Sequence, residues 1–112
     1  MDIPFGTIVL TDFPFTDLSS AKRRPALVIS TDNERRADVV VAYISSVARN
    51  EPDSVPIPPT ATNGLKVAST VRFDKIATLE KKIVSGRLGS VDPAWLRQHR
   101  GKFFAVFGFG SP

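Results

Sequence analysis

Arg23, Arg24 and Pro25 stand together at the head of an apolar run, Ala26-Leu27-Val28-Ile29. Proline is tolerated at the first residue of a strand, where no ladder donor is needed, and it holds the preceding residue extended. Arg24 is therefore a cation on a stiff mount. A guanidinium fixed at a strand edge suits phosphate, because its planar fork donates bidentate hydrogen bonds and keeps its charge at any working pH. Arg72-Phe73-Asp74 is a second constellation. With a strand period of two, Arg72 and Asp74 share one face while Phe73 points to the other, into the core. That spacing fits a same-face ion pair worth little, the commoner case, or an acid–base pair. The third is Ser45-Ser46, two hydroxyls following Tyr43 and Ile44. Serines also end strands merely by hydrogen-bonding local backbone.

Other chemistries are poorly supplied. The chain has no cysteine and one histidine, which removes disulfides, thiolate catalysis and Cys-based zinc sites and makes a transition-metal site improbable, so no metal or cofactor is expected. His99 falls in a helical stretch, where a structural histidine is the simpler reading. Fifteen Lys and Arg against eleven Asp and Glu give a net charge of +4 and a pI near 9.9, which favours a polyanionic partner without naming one. The start, Met1-Asp2-Ile3-Pro4-Phe5, has no basic leader and no long apolar stretch, and nothing later approaches a membrane span, so a cytoplasmic location is expected.

The elements that must position these residues are mostly strands. At 112 residues and 42% hydrophobic content, residues 1–112 are expected to form one domain with its own core. Periodicity predicts strands over residues 7–12, 26–30, 39–45, 54–57, 67–73 and 76–79, with 13–22 as the first long connection. Residues 51–63, rich in Pro, Thr and Asn, read as an exposed, mobile excursion. A helix follows at the end: Asp92 is a fit N-cap, Pro93 sits at the first helical position, and Gly108 stops it. Leu96, Phe103 and Phe107 fall on one face, flanked by Trp95 and Val106. Gly101 costs about 1 kcal/mol relative to alanine, so a bend or interruption is expected there. Short strands followed by one late helix give a mainly β, α+β class and favour a small barrel over a doubly wound sheet.

Four blocks of the sequence resemble the MazF/PemK (Kid) family, the toxins of type II toxin–antitoxin pairs. They are residues 6–30, beginning GTIVLTDFPFTDLSS; Val41-Ala42-Tyr43-Ile44-Ser45-Ser46; Gly64-Leu65 with Ser69-Thr70-Val71-Arg72-Phe73-Asp74-Lys75-Ile76-Ala77-Thr78-Leu79; and Gly86-Arg87-Leu88-Gly89. Their order and spacing carry the signal, since each alone is weak. The resemblance implies a dimer of small SH3-like barrels, here with a C-terminal helix, and metal-independent cleavage of single-stranded RNA. It also implies that Ser45 stands where the family has a hydroxyl, usually threonine, that works with the Arg-Pro arginine, here Arg24. The Kid/PemK branch carries its catalytic acid and base at the positions of Arg72 and Asp74. That branch also uses a histidine in the first loop, and residues 13–22 contain none.

Such cleavage, with the RNA's own 2′-hydroxyl attacking phosphorus to leave a 2′,3′-cyclic phosphate and a 5′-hydroxyl, needs a base, an acid and charge neutralisation on the phosphorane. Arg24 and Arg72 supply the last, Ser45 donates to a nonbridging oxygen, and Asp74 is the available carboxylate base. Ser46, Arg23, Lys22 and Phe15 are the candidates for RNA binding, Phe15 by stacking on an unpaired base. Phe13 and Phe15 could equally anchor their loop. Lys22-Arg23-Arg24, Arg35-Arg36 and Lys81-Lys82 could track an RNA backbone, although such pairs are usually a solvated face. The resemblance further implies an antitoxin that lays an acidic, disordered segment over this surface, and the apolar run Phe103-Phe104-Ala105-Val106-Phe107 agrees with a homodimer. Two rivals are a gyrase-binding toxin of the CcdB kind, which relies on a tryptophan-bearing C-terminal tail where this chain ends Phe109-Gly110-Ser111-Pro112, and a non-catalytic SH3-like RNA- or peptide-binding module.

Overall fold

Consecutive β-branched and aliphatic residues drive the chain into strands whose two faces are both apolar. The computed structural model describes residues 2–12, 23–31, 35–47 and 51–110. Its strands are β1 (Thr7–Thr11), β2 (Arg24–Val28), β3 (Asp38–Ser45), β4 (Ser54–Ile57), β5 (Ser69–Glu80) and β6 (Gly86–Ser90). They form one antiparallel, curled sheet in the order β4-β5-β3-β2-β1-β6, a half-barrel that bears out the mainly β, barrel-like class expected from the sequence. Ile8, Leu27, Ala42, Ile44, Val55, Val71 and Phe73 build the core on one face, closed by Leu96. Val9, Ala26, Val28, Val39, Val41 and Leu79 build a second core on the other, under Ile3. A strand buried on both faces reads as a continuous hydrophobic run, which is why residues 26–28 and 39–42 show so little alternation.

Residues 67–73 and 76–79, read as two strands, are one strand, β5. Tyr43 of β3 pairs with Arg72 and its neighbour Ala42 pairs with Ile76, so Phe73, Asp74 and Lys75 are extra on β5. The N–H of Phe73 donates instead to the carbonyl of Asp53, at 3.1 Å. Such an insertion bends a strand and sharpens its twist without ending it, a distinction that sequence spacing does not carry.

Strand β6 was absent from the sequence-based elements, since Gly86-Arg87-Leu88-Gly89-Ser90 lacks β-forming side chains. It is held by its neighbours: β1 on one side, and on the other the carbonyl of Thr62, which accepts from Ser90 N at 3.0 Å. A Cβ on Gly89 would lie 2.2 Å from that same carbonyl oxygen, so glycine is required for the approach. Residues 58–65 therefore close the curl between the β4 and β6 edges, and are not an exposed excursion throughout. Asn63 is buried; its Oδ1 accepts from the N–H groups of Thr60 and Leu65, and its Nδ2 donates to Pro58 O at 2.8 Å.

At the C-terminus, Asp92 caps α1 (Pro93–Gln98) by accepting from Ala94 N, as expected. The interruption falls at His99, not Gly101, and α2 (Arg100–Phe107) follows it. The His99 ring packs against Trp95, with centroids 4.8 Å apart, which fixes the corner. Leu96 is buried and Phe103 meets Phe73 edge-on, while Phe107, packed on Phe103 with centroids 4.9 Å apart, is exposed. Gly108, at φ 73°, ends α2 in the left-handed conformation. Among the described residues, no helix is long and apolar enough to cross a membrane.

Candidate functional site

Arg24 is the first residue of β2 and pairs with Thr11 of β1. Pro25 is the second residue of this interior strand, not the first. The ladder between β2 and β3 stops at Ala26↔Tyr43, immediately before Pro25, which has no N–H to donate. Beyond that point the two strands share no pairs. Arg24 lies two residues before Ala26 and Ser45 two residues after Tyr43, so both occupy the same face, one strand apart. Arg72 pairs with Tyr43 on β3's other side and joins that face, about two strand spacings, roughly 10 Å, from β2. The structure thus gathers Arg24, Ser45 and Arg72 around Tyr43.

The two arginines differ in their surroundings. Arg24 is half-buried, and its Nε is shut from solvent with no hydrogen-bond partner among the described residues. A buried unpaired donor costs about 1–3 kcal/mol, so this atom is held ready for an acceptor that the described residues do not supply. Arg72 is already engaged. Its Nε and Nη2 donate to the two oxygens of Asp74 at 3.0 and 2.5 Å. That hydrogen bond, opposed by partial burial and aided by the charges of Asp74, Asp53 and Glu51, holds the Arg72 guanidinium above its usual pKa. Asp74, on the inserted segment of β5, is exposed.

Ser45 is buried, and its Oγ accepts from Val47 N at 3.0 Å, closing the bend after β3. A hydroxyl that accepts in this way still has its own proton to donate. Ser46 is exposed, as is Arg23; Lys22, Phe13 and Phe15 lie outside the described residues. Phe5 is half-buried with the Arg97 guanidinium over its ring, 5.5 Å from the centroid. Two of the basic pairs are partly neutralised, Arg36 by Asp38 at 2.9 Å and Lys82 by Glu80 at 3.1 Å.

Where β2 and β3 part, a cavity of about 290 Å³ opens, lined by Arg24, Pro25, Tyr43, Ser46, Leu65, Lys66, Val67, Ser69 and Leu88 among others. The 64–69 segment forms its far wall, and sequence reasoning assigned that segment no part in a site. The available signal was Gly64, whose φ of 72° brings its backbone against Leu88 O, where a Cβ would sit 2.3 Å away.

The fold has close counterparts among solved structures. An endoribonuclease in complex with its cognate antitoxin, from a mycobacterial species, is 25% identical and superposes with a TM-score of 0.79 over 98% of this chain and 99% of that one. A MazE–MazF complex from Deinococcus radiodurans is 23% identical, with a TM-score of 0.74 over 98% and 99%. Mycobacterium tuberculosis toxin MazF-mt6 is 20% identical, with a TM-score of 0.72 over 95% and 99%. A search of curated protein sequences gave no significant match. The family model for the PemK-like, MazF-like toxin of type II toxin–antitoxin systems matches residues 5–104, and this chain belongs to that family.

Proposed function

We propose that this protein is an endoribonuclease toxin that cleaves single-stranded RNA at the junction of β2, β3 and β5. The observation that carries the reading is Arg24 Nε, buried, without a partner among the described residues and one strand from the Ser45 hydroxyl, in a chain of this family. Arg24 binds the phosphate whose phosphorus the neighbouring 2′-hydroxyl attacks, and it neutralises the charge that develops on the phosphorane. Ser45 donates to a nonbridging oxygen. Arg72, held by Asp74, adds the second positive charge. Asp74, which accepts from the Arg72 guanidinium, takes the 2′ proton. Arg23 and Ser46, both exposed, hold the flanking backbone together with Lys22 and Phe15. The departing 5′-oxygen takes its proton from solvent water, and the products are a 2′,3′-cyclic phosphate and a 5′-hydroxyl end.

Two partners complete this reading. A cognate antitoxin with an acidic, disordered segment would neutralise the same arginine-lined surface, and the net charge of +4 suits it. A second copy of the chain would cover the exposed Phe104, Phe107 and Phe109.

The test is incubation with mixed-sequence RNA in excess EDTA. The expected result is cleavage with 5′-hydroxyl ends, abolished by one deoxynucleotide just 5′ of the scissile phosphate. Cutting of the deoxy-substituted strand, or a strict metal requirement, would overturn the transesterification mechanism. No cutting of any RNA would overturn the activity itself.

A further inference from the structure

The cavity beside Arg24 has the makings of a base-reading pocket. Its lining includes side chains from three adjacent strands that point to the first-core face, opposite to the face that Arg24 and Ser45 share, and Arg24 borders it where β2 and β3 part. Leu10 follows Ile8, Pro25 precedes Leu27, and Ile44 follows Ala42, all at the strand period of two, and Ile8, Leu27 and Ala42 lie in the first core. Ser69 precedes Val71 of the same core by two residues, so its side chain faces the cavity as well. Leu65, Val67 and Leu88 enclose the other sides. The volume, about 290 Å³, sits near the floor of the range for small-molecule sites, roughly 300–1,000 Å³, and has room for one nucleobase.

Within this apolar room the hydroxyl of Ser69 is polarised in one sense. Ser69 is buried, and its Oγ donates to the carbonyl of Val67 at 2.9 Å. Its single proton is thereby spent, and what it offers the cavity is a lone pair. A ligand group that meets it with that bond intact is a donor. On a nucleobase, that describes an exocyclic amine.

We infer that this pocket takes one unpaired base of the strand whose phosphate Arg24 holds, and that Ser69 selects a base carrying an exocyclic amino group. This rests on the endoribonuclease reading for the phosphate at Arg24, but its own content is the polarity of the pocket. Apolar walls stack the base without regard to identity, and the buried Ser69 acceptor discriminates against a base that cannot donate to it, while Arg24, Tyr43, Ser46 and Lys66 bring further polar side chains to the lining.

Binding can be measured without cleavage. Fluorescence anisotropy would follow short single strands made of 2′-deoxynucleotides, with adenine replaced by purine, or cytosine by pyrimidin-2-one, at each position in turn. The expected result is one position at which deleting the amine weakens binding roughly five- to tenfold, the worth of one hydrogen bond. Ser69→Ala, with its fold checked by circular dichroism, should abolish that difference while keeping the affinity for the amine-free strand. Equal binding of amine-bearing and amine-free strands at every position would overturn the proposal even if the protein cuts RNA. A position-specific difference lost in Ser69→Ala would sustain it even if the protein cuts nothing, and the endoribonuclease reading alone would fall. A difference that survives Ser69→Ala would place the selection elsewhere and overturn the assignment of Ser69. Should Ser69→Ala not fold, the position-specific difference in the unaltered protein decides, and its absence overturns the proposal.

Discussion

Both oxygens of Asp74 accept from the guanidinium of Arg72, at 3.0 and 2.5 Å, two residues apart on β5, where pairing with β3 lapses after Arg72 and resumes at Ile76. Arg72 remains paired on the regular part of the strand and Asp74 falls on the insertion, so the pair straddles the bend. Their side chains are 13% and 29% exposed, sheltered enough for the geometry to hold but wet enough that its contribution to stability is small.

Replacing Asp74 by Asn keeps the shape and removes the charge. Turnover on single-stranded RNA should fall about a hundredfold, the lower end of what a general base contributes, with RNA affinity retained or raised because Arg72 is released. Single-turnover kinetics beside an anisotropy titration would show it. Near-normal turnover would return Arg72 and Asp74 to a structural ion pair and leave Arg24 and Ser45 as the centre.

Arg24 should trade stability against activity. Arg24→Met keeps the aliphatic stem and deletes the buried Nε, which has no partner among the described residues, so the melting temperature should hold or rise by about 4 °C, corresponding to about 1 kcal/mol. Turnover should drop by two to three orders of magnitude, as for loss of one preorganised transition-state donor. Arg24→Lys should restore little of it, because an ammonium cannot reproduce the fork. A variant with unchanged cleavage would remove Arg24 from the site.

Closure of the curl depends on glycine. Gly89→Ala would drive a Cβ to 2.2 Å from Thr62 O, a backbone atom that cannot swing aside, and should cost roughly 2–3 kcal/mol, or about 10 °C in melting temperature. Gly86→Ala, three residues away in β6, meets nothing within 4 Å and should change little. Paired thermal melts test this; equal effects at both positions would mean that the 58–65 segment does not seat on β6 in solution.

Assembly is the fourth expectation. Phe104, Phe107 and Phe109 are 37%, 39% and 80% exposed, which leaves apolar surface for a second copy to cover. Light scattering at micromolar concentration should give a dimer, and Phe107→Glu should shift it to monomer without unfolding it. A monomeric wild type that cut RNA at full rate would contradict the dimer.

Most of the fold was legible in the chain. Alternating and continuous apolar runs gave β1 to β4, and Asp92-Pro93 gave the start of the helices, because burial and capping act on residues close in sequence. The family likeness pointed to Arg24, Ser45, Arg72 and Asp74, and strand period alone put Arg72 and Asp74 on one face.

Tertiary structure decided the rest, for reasons that lie between distant residues. β6 exists because β1 and Thr62 pair with it, not because its side chains favour extension. β5 runs through its insertion because β3 resumes pairing at Ile76. The 58–65 segment is seated rather than free because one buried side chain, Asn63, satisfies three backbone groups. The cavity beside Arg24 follows from the parting of β2 and β3 and from a wall brought 40 residues along the chain, which is a fact of packing that local sequence does not record.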